Sequence, residues 1–213
     1  MNITRRLLIQ TLSIVFGLLF VATPVEPLHA EEFETPAGFN AHIQSGVSLA
    51  FEGASVEYEP GLRLGGTVGY ELDLKLPWRT SLNAQVTFAW NRWRFATPLN
   101  QGAHSLFVTM VGVAFSHYRP FRIRDVSVWT SMDLGLGDST VEYDGFIGTN
   151  AMTESHSGFA FRFQLGTAYH VLPYLALGLT FDVSNVGLDE LTDRNFSATS
   201  IDAGLVIRGR FPL

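Results

Sequence analysis

Two dipeptides, His104-Ser105 and His156-Ser157, bring a base beside a nucleophile, and Glu154 lies close to the second. These are the parts of a serine hydrolase, which needs hydroxyl and imidazole within hydrogen-bond reach and an acid to orient the base. Neighbouring residues on an extended chain point to opposite faces, so neither dipeptide can form that pair, and both read as polar rim residues. His42 and His170 fall on the polar parity of their segments and are expected to join hydrogen-bond networks. No His-x-x-x-His or similar spacing occurs, Asp144-Gly145 lacks the regular Asp spacing of a calcium loop, and the glycines at 65–66 and 135–137 precede no helix. No metal or cofactor is therefore expected. The chain has no cysteine, which excludes disulfides, zinc–thiolate chemistry and a lipid-modified N-terminal cysteine.

The charges carry a second chemistry. Asp133, Arg162 and Asp182 occupy the polar parity of three neighbouring segments and are expected together in one half of an interior, with Asp202 on the same parity of the last segment. Glu71, Asp73, Lys75, Arg208 and Arg210 fall toward the other end. Such a set could line a selective pore, or it could be a plug of paired ions and hydrogen bonds. Interiors of eight strands are just wide enough for side chains to fill, which favours the plug.

What must position these residues is a polarity pattern repeated about eight times after residue 38. In Gly38–Glu52 the odd positions read Phe39, Ala41, Ile43, Ser45, Val47, Leu49 and Phe51, and the even ones Asn40, His42, Gln44, Gly46, Ser48, Ala50 and Glu52. That is one apolar and one polar face of a strand. The same alternation predicts strands over 62–76, 81–91, 105–117, 125–137, 158–170, 174–184 and 199–211. The fourth is the least clear, because both parities are apolar. None of the eight apolar faces carries a charge.

In a soluble eight-stranded barrel the apolar face lines the interior and the exterior is heavily charged. Here the polar face is mostly Gly, Ala, Ser and Thr, which suits a narrow lumen, and only 16% of residues are charged against the quarter usual in soluble domains. The bulky Phe and Leu therefore face lipid, and the pattern predicts an all-β, eight-stranded antiparallel up-and-down transmembrane β-barrel over residues 31–213. Residues 1–30 read as a signal peptide: Arg5 and Arg6, an apolar run over 7–25, and a cleavage site at Leu28-His29-Ala30. A net charge of −6 gives no electrostatic reason to expect nucleic acid.

The connections alternate long (53–61, 92–104, 138–157, 185–198) and short (77–80, 118–122, 171–173). Outer-membrane barrels have long external loops and short periplasmic turns, so the long set is expected outside. It is acidic, with Glu57 and Glu59, then Asp138, Glu142, Asp144 and Glu154, then Asp189, Glu190 and Asp193. The short set is basic, with Arg79, Arg119, Arg122 and Arg124. The acidic rim could bind divalent cations that bridge lipopolysaccharide; simple solvation is the plainer account. Aromatic girdles are expected at Trp90, Trp93, Phe159 and Phe196 on the outer side, and at Phe39, Trp78, Phe115, Tyr118 and Phe211 on the inner.

On this pattern residues 38–213 resemble the small eight-stranded outer-membrane barrels of the OmpA and OmpX type. The stretch 204–211, alternating apolar residues toward Phe211, is similar to the C-terminal assembly signal of such barrels, although Pro212-Leu213 follow the aromatic. The resemblance implies a monomer in the cell outer membrane whose partners are outer-membrane lipids including lipopolysaccharide, and the outer-membrane assembly machinery. A structural or surface-interaction role through acidic extracellular loops is the reading adopted. The alternatives are a narrow channel for small or hydrophobic solutes, and an enzyme that modifies lipid A.

Overall fold

The computed structural model describes residues 37–52, 58–74, 80–95, 102–118, 126–143, 152–172, 174–188 and 196–212; the expected signal peptide lies outside them. Eight strands, β1 (Gly38–Glu52), β2 (Gly61–Asp73), β3 (Thr80–Arg94), β4 (Gly102–Tyr118), β5 (Val126–Tyr143), β6 (Met152–Leu172), β7 (Leu175–Leu188) and β8 (Phe196–Pro212), follow one another around a closed barrel. Every neighbouring pair is antiparallel. Closure is made by β1 on β8, from Gly38↔Pro212 to Glu52↔Ala198, so the strand edges are consumed rather than left to aggregate.

The parities fall as the alternation requires. Ile43, Val111, Leu136, Leu179 and Leu205 are all exposed on the outer wall, at 58–68%. Asn40, Gln85, Asp133 and Arg162 are sealed in the lumen at 5% or less. A surface that exposes Phe and Leu while burying its charges is stable only in lipid. The chain is a transmembrane β-barrel.

Strand lengths differ from the sequence pattern in one consistent way. The apolar alternation of β5 stops at Leu136 and that of β6 begins at Phe159, but their ladder runs on through Asp138↔Ser157 to Tyr143↔Met152. β3 and β4 likewise pair up to Arg94↔Ala103. Backbone hydrogen bonds do not require apolar side chains, so pairing continues where the lipid-facing pattern ends. A crossing strand needs only about 9–11 residues; β6 has 21, and its first turns of ladder stand beyond the apolar belt. Both ends of the expected long connections over 92–104 and 138–157 are therefore strand. What distinguishes the two ends is this raised wall of β3–β6 more than the lengths of the connections. We call the raised end distal, and the end holding Gly38 and Pro212 terminal.

Two expected girdle residues are inside. Trp93 is 1% exposed and donates its indole N–H to Ser48 Oγ at 3.0 Å, while the Tyr118 hydroxyl donates to Glu71. The reason is parity: Trp90 faces out, so Trp93, three residues on, faces in, and Tyr118 takes the parity opposite to Phe115. Trp90, Phe159, Phe39, Phe115 and Phe211 do lie on the outer wall, whereas Trp78 and the Phe196 side chain lie outside the described residues.

Candidate functional site

The lumen holds three ion-pair tiers. In the first, Arg162 (β6) places Nη2 2.6 Å and Nε 2.9 Å from Asp133 Oδ2 (β5), its direct cross-strand partner, and Nη2 also donates to Thr87 Oγ1 at 3.0 Å. Gln85 donates to the other Asp133 oxygen at 2.8 Å and Ser131 to Oδ2 at 3.3 Å. A buried carboxylate surrounded by donors is the arrangement that offsets desolvation. Gly112 makes room for it: a methyl there would run into the Asp133 carboxylate and the Met132 carbonyl.

Asp182 does not join that tier. It faces Asp202 directly across β7–β8, and the cation between them is Arg63 from β2, 3.4 Å from Asp182 and hydrogen-bonded to Asp202. Ser200 donates to Asp202 at 3.1 Å. The expected grouping of Asp133, Arg162 and Asp182 is thus divided into two clusters. Which acids meet which cation depends on strand tilt and stagger around a closed barrel, and neighbouring positions in sequence do not define it.

The third tier lies toward the terminal end. Glu71 accepts from Ser81 and Tyr118 and faces Arg208 at 3.4 Å and Arg210 at 3.2 Å. Arg208 reaches Ser116 at 3.2 Å and lies 5.4 Å from the Trp129 ring centroid; Arg210 lies over Tyr118 at 4.8 Å. Asp73 is half-buried opposite Ser81 in the ladder, and Lys75 lies outside the described residues. Between tiers, Gln164 donates to Gln44 at 2.9 Å and Asn40 to Asn83 at 3.0 Å, while Trp129 bonds Gln164 at 3.1 Å and packs on Gly166.

At the distal mouth His104 and Ser105 point apart, as adjacent strand residues do. His104 instead meets Ser139 Oγ of β5 at 2.6 Å, with Tyr58 OH 3.0 Å from its Nδ1 and Trp93 against its ring. Both His104 and Ser139 are 1% exposed. His156 lies 3.8 Å from Glu154, and Ser157 donates to Asp138 at 2.7 Å.

Of the acidic residues expected in external loops, Asp138 and Glu142 belong to β5 and face outward from its raised part, for the ladder reason given above. Glu59 is exposed beside the Tyr58↔Phe95 bridge. Glu57, Asp144, Asp189, Glu190 and Asp193 lie outside the described residues, as do Arg79, Arg119, Arg122 and Arg124. Arg92 and Arg94, left out of every candidate set at sequence level, face outward from β3 just beyond Trp90. Arg92 reaches Glu142 at 3.4 Å, and a cleft of about 400 Å³ is lined by Glu59, Arg92, Arg94, Phe95, Ala103 and Glu142. The signal for them was present: they continue the outward parity of Trp90.

With this geometry in view, the chain resembles solved barrels. Neisserial surface protein A matches with a TM-score of 0.56 at 14% identity, covering 84% of this chain and 100% of that one. The fold is that of the small outer-membrane barrels. Ail, the attachment invasion locus protein of Yersinia pestis, in complex with the heparin analogue sucrose octasulfate, matches at 0.51 and 15% identity, over 82% of this chain and 99% of its own. The outer membrane enzyme PagL matches at 0.50 and 10%, over 80% and 99%. No protein-family model and no curated protein sequence matches. A surface protein, an attachment invasion locus protein and an enzyme thus share this architecture, which carries many functions on one scaffold.

Proposed function

We propose that this protein is a monomeric, closed and non-conducting barrel of the outer membrane, which displays its distal wall and acidic distal residues to the cell exterior and performs no catalysis. The observation that carries the reading is the set of bonds crossing the lumen. Gln164 of β6 reaches Gln44 of β1, Arg162 of β6 reaches Thr87 of β3, Arg208 of β8 reaches Ser116 of β4, and Arg63 of β2 pairs with Asp182 of β7 at 3.4 Å. Side chains that meet from opposite walls leave an eight-stranded interior filled. A non-catalytic role is supported by the distal His104–Ser139 contact, which is buried and has a tyrosine hydroxyl rather than a carboxylate on the second ring nitrogen.

The channel reading has one observation in its favour. Arg162 Nη1, Arg208 Nη1 and both Asp182 oxygens are buried without a protein hydrogen-bond partner, and such atoms call for water. Single-channel recording in planar bilayers separates the two. The filled lumen predicts a silent bilayer for the wild type. Discrete steady openings would overturn it in favour of the channel.

A further inference from the structure

Among the described residues six arginines are placed, and four of them, Arg63, Arg162, Arg208 and Arg210, point into the lumen and meet carboxylates there. The other two, Arg92 and Arg94, are both on the outer wall, on one strand, two residues apart on one face. Their guanidinium stems start roughly 7 Å from each other along β3. Directly below them on the same face is Trp90, paired with Phe107 of β4, where the apolar belt ends. Beside them β4 presents only Ala103 and Ser105, their ladder partners, so the wall is recessed between the arginines and Glu142 of β5. That recess is the cleft described above.

An outward arginine is expensive at midplane and nearly free at the interface, so depth alone explains why the pair is tolerated here. It does not explain why both cations share one recess. One is held by Glu142, through a single 3.4 Å contact with both side chains about half exposed, the weakest kind of ion pair. Arginine forks match phosphate oxygens in pairs and hold them more tightly than a solvated carboxylate.

We propose that the Arg92–Arg94 cleft binds the phosphate of an outer-leaflet phosphoglycolipid headgroup, whose acyl chains lie on the belt below Trp90 and Phe107. Arg92 and Arg94 hold the phosphate oxygens, and Glu142 is the resident counter-ion that the phosphate displaces from Arg92. The inference rests on the proposed orientation, with the distal wall outside, and deepens the surface role by naming its ligand class.

The test uses the full chain purified in detergent, with bisphosphorylated lipid A, the same lipid enzymatically dephosphorylated, and inorganic phosphate as probes. Retained lipid is counted by native mass spectrometry. Folding of each variant is checked by heat-modifiable gel mobility. Arg92→Gln/Arg94→Gln should weaken binding of the bisphosphorylated lipid about tenfold or more, and the dephosphorylated lipid should bind wild type and variant alike. Glu142→Gln should bind as well as wild type or better, because it frees Arg92. Equal binding by wild type and the arginine double variant, or a loss in Glu142→Gln matching that double variant, would overturn the site. Displacement of the lipid by millimolar inorganic phosphate would show a free-anion site and overturn the lipid as ligand. Failure of the orientation is read separately, from a Ser155→Cys protein on intact cells: labelling by an impermeant maleimide upholds it, and protection refutes it.

Discussion

Arginine meets carboxylate in two regions of this barrel, and the two pairs have little else in common. Arg162 and Asp133 are fully buried on adjacent strands, 2.6 Å apart, with Gln85 and Ser131 donating to the carboxylate and Thr87 accepting from the guanidinium. Arg92 and Glu142 stand on the distal wall, 3.4 Å apart and about half in solvent, with one strand, β4, between them and one hydrogen bond to hold them. The first is a structural unit in which both carboxylate oxygens and two of the three guanidinium nitrogens are hydrogen-bonded. The second is a loose contact over a recess, and its members can exchange partners at little cost. Burial, more than residue type, decides whether an ion pair is framework or binding surface.

The largest test of that contrast is Arg162→Ala. Removing one member of a buried pair leaves an uncompensated charge, and costs about 3–5 kcal/mol. Urea unfolding in lipid vesicles should show that loss, and a smaller one for Arg162→Met/Asp133→Leu, where both charges go together. The double variant proving as unstable as the single would mean that lost packing, not the stranded carboxylate, sets the cost. Because Asp182 is held by Arg63, Asp182→Asn should add independently to Arg162→Ala.

A middle-sized effect is expected at Gly112. The added methyl of Gly112→Ala meets the Asp133 carboxylate from the neighbouring strand, and overpacking of this kind costs about 1–3 kcal/mol. In the Asp133→Leu/Arg162→Met background the polar group is gone but the crowding is not. Equal penalties in the two backgrounds would show that the glycine serves the backbone approach alone; a penalty confined to the wild type would show that it serves the ion pair.

Much of this was legible in the chain. Lipid outside and a narrow lumen inside impose opposite demands on alternate residues, so β1 announces its faces along its whole length from Phe39 to Phe51. The distal extension was not legible, because beyond Leu136 and Phe159 the outer face leaves lipid and turns polar, so the apolar alternation stops although the ladder does not. Residue type misled where parity would not have: Trp93 and Tyr118 look like girdle aromatics, yet each sits on the inward parity with its polar atom bonded in the lumen. Arg63 was visible as an inward residue of β2, but its meeting with Asp182 and Asp202 crosses the barrel, and no local pattern encodes which residues a tilted, staggered sheet brings together. Arg92 and Arg94 were missed for another reason, although the parity of Trp90 carries their signal. They extend an outward face past the belt, where a sequence reading had already placed a loop.

The smallest expected effect lies on the distal wall. Arg92→Ala should change stability by about 0–1 kcal/mol, because the pair with Glu142 is solvated and its Coulomb gain is screened. Glu142→Ala should do the same, and the double variant should equal their sum, since a contact this exposed gives little coupling to lose. Urea unfolding at low and high salt is the measurement, and the wild type should lose little of its stability as salt rises. A coupling above about 2 kcal/mol, or a marked salt dependence removed by Arg92→Ala, would make this pair a framework element like the one inside. The distal recess could then not be the exchangeable surface that the comparison with Arg162 and Asp133 makes it.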